Sequence, residues 1–201
     1  MPSVYDLIKL EEPVPANGVI TETGWEHLHL VPSHVDLSGI EIELASHAGR
    51  ENRLKDALDP VTNRYDYVLV DTPPSLSLLT VNVLAYANHV LVPCQTHPYA
   101  YSALDELLET LAAVKQEINP RIEIMGVLAT FFDRRTRVSQ RILESLKSDE
   151  RLQGKVFETV IRINTTIAES AYFNKPVVFF RRSSSGAKDY LALADEILGS
   201  D

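Results

Sequence analysis

Asp71 closes a short apolar run, Tyr67-Val68-Leu69-Val70, and is followed by Thr72-Pro73-Pro74-Ser75. A carboxylate at a strand tip can hold a water of a hard divalent cation. Mg2+ keeps several waters and takes one or two carboxylates together with phosphate oxygens. Pro73 and Pro74 continue neither a ladder nor a helix, so they turn the chain away and leave the tip open. On the strand and the aspartate alone, a turn residue that ends a strand explains Asp71 equally well. A second group is basic: Arg134, Arg135, Arg137 and Arg141 fall in one short segment, and Arg181 and Arg182 form another. Cations of this kind contact phosphates without reading sequence. A solvated helix face paired with Glu144, Asp149 and Glu150 accounts for the same residues. The third group is the loop Arg162-Ile163-Asn164-Thr165-Thr166, whose asparagine offers both a donor and an acceptor or serves as a turn residue satisfying backbone groups.

Other chemistries find less support. The six histidines, His27, His29, His34 and His47 among them, show no closed-site spacing with a cysteine, and a structural or surface role is expected. Gly-x-Ser-x-Gly is absent from the sequence. So is Gly-x-x-x-x-Gly-Lys-[Ser/Thr]: only Lys147 precedes a Ser or Thr, and Leu146 stands before it.

The elements that must position these residues follow from periodicity. Residues 1–26 read as an arm, or a helix plus loop, broken by Pro13, Pro15 and Gly18. A strand is expected at His27–Val31, then helices over 35–48 and 50–58, the second stopping before Pro60. Tyr67–Val70 and His89–Val92 are continuous apolar runs that suit parallel strands buried on both faces. A helix over 77–87 lies between them. The helix over 100–118 carries Leu104, Leu107, Leu108, Leu111, Val114 and Ile118 on one stripe. A strand at Ile122–Thr130 leads to a helix with Val138, Ile142, Leu143 and Leu146 inward. Val156–Ile161 is the next strand, and Val177–Phe180 a short one. The last helix, 187–198, places Tyr190, Leu191, Ala194, Ile197 and Leu198 inward and stops at Gly199. Alternating strands and helices mean βαβ units, a parallel sheet and ligands beyond the strand C-termini.

Composition bounds the rest. With 201 residues, 45% of them hydrophobic, the chain suits one compact domain. One cysteine, Cys94, allows no internal disulfide and fits a reducing compartment. No apolar run reaches the roughly 18 residues that cross a bilayer. The net charge of -9 argues against a dedicated nucleic-acid binder but leaves room for a local basic patch.

Tyr65 to Ser75, ending Val70-Asp71-Thr72-Pro73-Pro74-Ser75, resembles the Walker B segment of ParA/Soj partition ATPases, in the deviant-Walker-A P-loop group that includes MinD. Ala87 to Pro93 is similar to the family's next strand, with Gln95 near the nucleotide side. Phe132-Asp133-Arg134-Arg135-Thr136 resembles the segment after the following strand. Thr159 to Pro176, with Asn164, Glu169 and Lys175-Pro176, is similar to the adenine-side loop, and Ser185-Gly186-Ala187 to the C-terminal end. The likeness covers roughly residues 3–198.

The resemblance implies an α/β fold: a three-layer, P-loop NTPase-like, mostly parallel sheet with helices on both faces. It implies a single domain over 1–201, with 1–26 an arm or helix and 27–201 the α/β body. The family's first strand and its glycine- and lysine-bearing phosphate loop are expected to be missing from these residues, so that Met1–Ile8 matches just after them. ATP and Mg2+ are the implied cofactors. Asp71 would be the catalytic and metal residue, holding Mg2+ through water. Thr72, Pro73, Gln95, Asn164 and Thr165 would contact nucleotide with it. Non-specific nucleoid DNA would meet Arg134, Arg135, which matches the family's Asp-x-Arg-Thr arginine, and Arg162. The family's second DNA arginine falls on Thr166 here, and Arg162 stands close by. A homodimer, a ParB-like partner that triggers hydrolysis, cargo positioning for plasmid or chromosome, and a cytoplasmic, nucleoid-associated location complete the implied picture.

Without a nest of backbone amides and a lysine, these residues alone are expected to bind ATP weakly and not to hydrolyse it. A missing central strand would leave open edges beside Val68 and Val90. The rival reading is a non-catalytic module that contacts DNA or heterodimerises with an intact ATPase. A membrane-surface switch of the MinD kind fits less well, because the last helix ends Ala194-Asp195-Glu196-Ile197-Leu198 with no basic amphipathic tail.

Overall fold

The structure, a computed structural model, describes residues 1–73, 75 and 77–199. Pro74, paired above with Pro73 as a chain-turning residue, lies outside them. The chain divides into two compact units. One is Met1–Asn88 with Thr110–Ile122, and the other is His89–Glu109 with Glu123–Asp201.

The first unit contains α1 (Val4–Ile8), β1 (Thr21–Glu22), β2 (His29–Leu30), α2 (Ile40–Leu44), α3 (Arg53–Thr62) and α4 (Leu78–Tyr86). Its core gathers Leu7, Ile8, Val19, Ile40, Leu44, Leu54 and Val61. Two polar side chains tie the helices together. Buried Asn82 accepts from the Leu54 N–H at 3.1 Å and donates to the carbonyls of Arg50 and Leu78. Arg53 donates to the carbonyls of Ile8 and Lys9 at the end of α1. The strand expected at His27–Val31 shrinks to the two-residue β2, antiparallel to β1. The helix expected over 35–48 breaks into a 3-10 turn at Val35–Gly39 and the short α2. Helix α3 does not stop before Pro60 but runs through it. Pro60 removes only its own N–H bond, and the helix ends two residues later, where Val61 is buried in the core.

Tyr67–Val70, expected as a buried strand, has no regular structure and no ladder. Among the described residues Val68, Leu69 and Val70 make no backbone hydrogen bond. Val70 packs on the core, but Leu69 is 92% exposed and Tyr67 and Val68 are exposed beside it. An apolar run becomes a strand only where a neighbour pairs with it.

The second unit is built on β3 (His89–Gln95) and β4 (Glu123–Thr130), paired in parallel from His89↔Glu123 to Gln95↔Thr130 with one irregularity at Val90/Leu91. The strand expected to end at Pro93 continues past it. β4 is the only strand partner of β3 among the described residues, and Pro93 is tolerated on such an edge. Helices α5 (Pro98–Glu117), α6 (Arg137–Ser148), α7 (Thr165–Tyr172), α8 (Val177–Phe180) and α9 (Ser185–Leu198) follow, with α5 continuing into the first unit. One side of the β3–β4 pair packs Val92, Cys94 and Val127 against Leu104, Leu146 and Leu152. Leu128 packs with Phe157, Ile161 and Leu193 in a separate cluster.

Four expectations need correction here. Val156–Ile161 is no regular strand. It follows β4 through isolated parallel bridges at Val127↔Val156 and Phe132↔Arg162. Val177–Phe180 is a helical turn, set by Pro176 at its N-cap, and not a strand. In α9 the buried face carries Gly186, Ala187, Asp189 and Leu193, while Tyr190, Ala194 and Leu198 are exposed. In α6 Val138 is likewise exposed and Ser139 is buried in its place.

Candidate functional site

The parallel register decides which of the singled-out residues lie together. Gln95 pairs with Thr130 at the C-terminal end of β3 and β4. Arg162 bridges Phe132 just beyond β4. Gln95, the Asp133–Thr136 loop and the Arg162–Thr166 loop therefore share the C-terminal edge of this unit, where parallel sheets place ligands. Asp71, Thr72 and Pro73 belong to the other unit and are exposed there.

Buried Thr96 holds the strand ends to the basic loop. Its N–H donates to the Thr130 carbonyl, its hydroxyl donates to the carbonyl of Phe131 at 3.1 Å, and the same hydroxyl oxygen lies 3.1 Å from Ser139 Oγ, whose hydroxyl can donate to it. Ser139 in turn accepts from the Asp133 N–H at 3.4 Å. Phe131 turns the chain with φ of 50°, a left-handed conformation unusual for a bulky residue. Thr136 then caps α6, its hydroxyl accepting from the Ser139 N–H.

The arginines of this edge fall into two sets. Arg135 is clamped by Asp133: its backbone N–H, Nε and Nη2 all donate to that carboxylate, at 2.9, 3.0 and 2.9 Å. These bonds hold the Asp133 carboxyl down at about 2. Arg162 is clamped by buried Asp189 of α9, which also accepts the Arg162 backbone N–H at 3.1 Å. The bond to Asp189 pushes the Arg162 guanidinium above its ordinary range. Arg134, Arg137 and Arg141 are exposed and make no ion pair among the described residues. Of the counter-ions expected for them from the sequence, one is shown to go elsewhere. Asp149 is taken by Arg151, which bridges on to Asp105.

Asn164 is the N-cap of α7. Its side-chain oxygen accepts from the Thr166 N–H at 2.8 Å, and its amide nitrogen donates to Ser185 Oγ at the start of α9. Thr165 is exposed beside it, whereas Thr166 is buried. Gly186 allows this close approach: a Cβ there would stand 2.6 Å from Ile167 Cγ1 and 3.3 Å from Asn164 Cγ.

Sequence reasoning missed Thr96, Ser139, Asp189 and Glu196. Glu196 accepts the backbone N–H groups of Glu158 and Thr159 at 2.7 and 2.9 Å. Asp189 and Glu196 thus serve as the acceptors that a neighbouring strand would provide for residues 158–162. Their spacing of seven, two helical turns, was the available signal.

Comparison with known proteins places this arrangement. A sequence profile of the AAA domain matches residues 1–124. The chain is 37% identical over 199 residues to the chromosome partitioning protein ParA of Myxococcus xanthus, covering 99% of this chain and 69% of that protein. It is 38% identical over 194 residues to the sporulation initiation inhibitor protein Soj of Bacillus subtilis, covering 96% and 75%. The chain belongs to the ParA/Soj family of partition ATPases. Among solved structures, the cobyrinic acid a,c-diamide synthase of Mycobacterium smegmatis with bound ADP and magnesium superposes with a TM-score of 0.81 at 32% identity. That match covers 98% of this chain and 71% of the synthase. The fold is the α/β fold of P-loop ATPases of the ParA/MinD type, as the sequence implied.

The residues of this ParA-type chain fit one side of a magnesium nucleotide better than the other. Asp71 is an exposed carboxylate, suited to a metal-bound water. No group of three or more His, Cys, Asp or Glu side chains that could enclose a metal exists among the described residues. The triphosphate needs amides and a lysine, and the motif Gly-x-x-x-x-Gly-Lys-[Ser/Thr] that supplies them does not occur in the sequence. The amide of Asn164, moreover, is committed to Thr166 and Ser185. No helix among the described residues is long and apolar enough to cross a membrane.

Proposed function

We propose that these residues form one ParA-like domain of a partition switch that segregates plasmid, chromosome or other cellular cargo. The observation that carries the reading is the 37% identity to a chromosome partitioning ParA over 99% of the chain. Asp71, with Thr72 and Pro73 beside it in the first unit, would hold a water of Mg2+. Gln95, Asn164 and Thr165 of the second unit are the other residues the family resemblance implies for nucleotide, and Mg-ATP, when bound, would supply the transferable phosphoryl group. Non-specific DNA is met by the basic loop that begins at Arg134 and Arg135, with Arg162 at the neighbouring loop. The working form is a homodimer stimulated by a ParB-like partner and associated with the nucleoid. Replacing Asp71 by Ala in the cell that makes this protein is expected to raise the loss of the segregated cargo to the level of a deletion. Wild-type retention in that strain would sink the reading.

The 201 residues by themselves do not turn over ATP in this reading, because they supply no phosphate cradle. Calorimetric titration with Mg-ATP is expected to give no micromolar binding. Micromolar affinity, or phosphate release above a no-protein control, would refute that statement while leaving the partition role standing.

A second reading has one observation of its own. The exposed, ladder-free segment Val68–Val70 supports a non-catalytic module that pairs with another ATPase chain. Co-purification with an intact ParA-type ATPase, and amide-exchange protection appearing at Val68–Val70 in the complex, would favour it.

A further inference from the structure

At the C-terminal end of α7, away from the Asn164 cap, the chain presents a fixed cluster of exposed aromatic rings. Phe173 ends the helix, and Asn174 follows in the left-handed conformation with φ of 50°. The Asn174 N–H donates to the Ala171 carbonyl at 3.0 Å and the Lys175 N–H to the Ser170 carbonyl at 2.9 Å. These two bonds make a Schellman ending, in which an apolar contact frequently joins the positions held here by Lys175 and Ser170. Both are polar, so no ring is used in sealing the helix end. Pro176 then starts α8, which brings Phe180 onto Phe173 with ring centroids 5.5 Å apart and planes 19° apart. Tyr172 meets Phe173 in a T-shaped contact at 5.3 Å. Even so, Tyr172 is 82% and Phe173 57% exposed. Apolar side chains scattered singly over a surface are ordinary, but rings in mutual contact on a fixed turn offer apolar area at little ordering cost.

The rim of this cluster is basic. Lys175, Arg181 and Arg182 are exposed, and Lys175 and Arg182 make no ion pair among the described residues. Arg181 lies over the Phe180 ring at 5.8 Å and stands 3.9 Å from Glu169, too far for a hydrogen bond. The face is thus locally positive on a chain of net charge -9. A second copy laid on it about a two-fold axis would bring like charges together. A nucleic-acid strand would need open ring faces for its bases, and here Phe173 and Phe180 cover each other while Arg181 lies over Phe180. The net negative charge of the chain also repels a long polyanion. A short acidic segment with large apolar side chains meets both features at once. Its carboxylates reach the cations, and its apolar groups lie against the rings.

We infer that the face formed by Tyr172, Phe173 and Phe180 is a docking site for an acidic segment of a partner protein that carries large apolar side chains. The test is selection of a phage-displayed library of random short peptides on the purified chain, followed by fluorescence anisotropy of the most enriched peptide. Enriched peptides are expected to be net negative and to contain Leu, Ile or aromatic residues. Tyr172→Ser/Phe173→Ser, checked for folding by circular dichroism, is expected to weaken binding at least about ten-fold. Tyr172→Ser alone, at the most exposed ring, is expected to weaken it measurably, and Tyr172→Phe to bind within about two-fold of the parent. Lys175→Glu/Arg182→Glu is expected to weaken it about ten-fold. No enrichment, or enrichment of net positive peptides, overturns the inference. So does parental affinity in the folded double serine variant. An equal loss with Arg141→Ala would put the peptide on α6 and overturn it too. Tighter binding of a labelled single-stranded oligonucleotide, lost in Tyr172→Ser, would assign the rings to nucleic acid instead. Self-association of the parent that Tyr172→Ser abolishes would assign them to a second copy, and either result overturns the proposal.

Discussion

At the scale of single residues, the polar side chains that matter most are those that substitute for missing backbone partners. Glu196 accepts two amide N–H groups, and Asp189 accepts one together with the Arg162 guanidinium. Removing one partner of such a bond leaves the other unsatisfied, at about 1–3 kcal/mol. Asp189→Ala is therefore expected to lower the unfolding free energy from urea titration by that amount. Asp189→Asn, which retains an acceptor, is expected to lose less. Equal loss from both would show that the charge alone matters. Asn164→Ala removes the cap of α7 and is expected to cost about 1 kcal/mol in the same assay. Acid titrates another set. The carboxyls of Asp133 and Asp149 sit at about 2, held down by side-chain bonds from Arg135 and Arg151 respectively. Their unfolded values are near 3.9. A depressed folded pKa contributes stability that is fully present above the unfolded value and is lost as pH falls through the folded one. Urea midpoints are thus expected to fall between about pH 4 and pH 2, and Arg151→Ala is expected to flatten that fall. An identical acid limb in the variant would contradict the assignment.

At the scale of elements, legibility tracked how local the cause was. Helix α5 was readable because its stripe, Leu104, Leu111 and Val114 among it, is apolar and is buried as drawn. Helix α9 was read only in part: Leu191 and Ile197 are half-buried as expected, but its inward side also includes Asp189 and Glu196, whose amide partners lie on a segment distant in sequence. Ser139 displaced Val138 on α6 for the same reason: a hydroxyl between Thr96 and Asp133 cannot be inferred from a hydrophobic pattern. The placement of Gln95 and Arg162 at one sheet edge was legible, because both reach it by parallel register. The pairings that occupy Arg135, Arg162 and Asn164 were not, because they depend on side-chain geometry. Packing between β4 and residues 156–162 gives a prediction at this scale. A Cβ at Gly126 would meet Phe157 Cε2 at 2.5 Å, and the ring is buried. Gly126→Ala is expected to destabilise by about 1–3 kcal/mol, and Phe157→Leu in the same chain to recover part of it. Simple additivity of the two losses in urea unfolding would show that the ring is not what confines position 126.

At the scale of the whole molecule, the apolar segment Tyr67–Val70 raises a problem of association. Leu69 is 92% exposed, and the backbone groups of Val68 to Val70 have no partner among the described residues. An exposed apolar stretch with open backbone donors and acceptors can pair with a second chain. The net charge of -9 opposes that association through long-range repulsion, which salt screens. The two effects differ in range, so they separate experimentally. Self-association of the chain, measured by multi-angle light scattering, is expected to rise as salt screens the repulsion. Leu69→Lys places a charge on the exposed side of the segment without entering the core. It is expected to suppress the salt-induced rise and leave the thermal midpoint nearly unchanged, as surface substitutions usually do. A variant that associates as strongly as the parent would place the contact elsewhere on the surface. A large loss of thermal stability would instead show that Leu69 packs within the folded chain in solution.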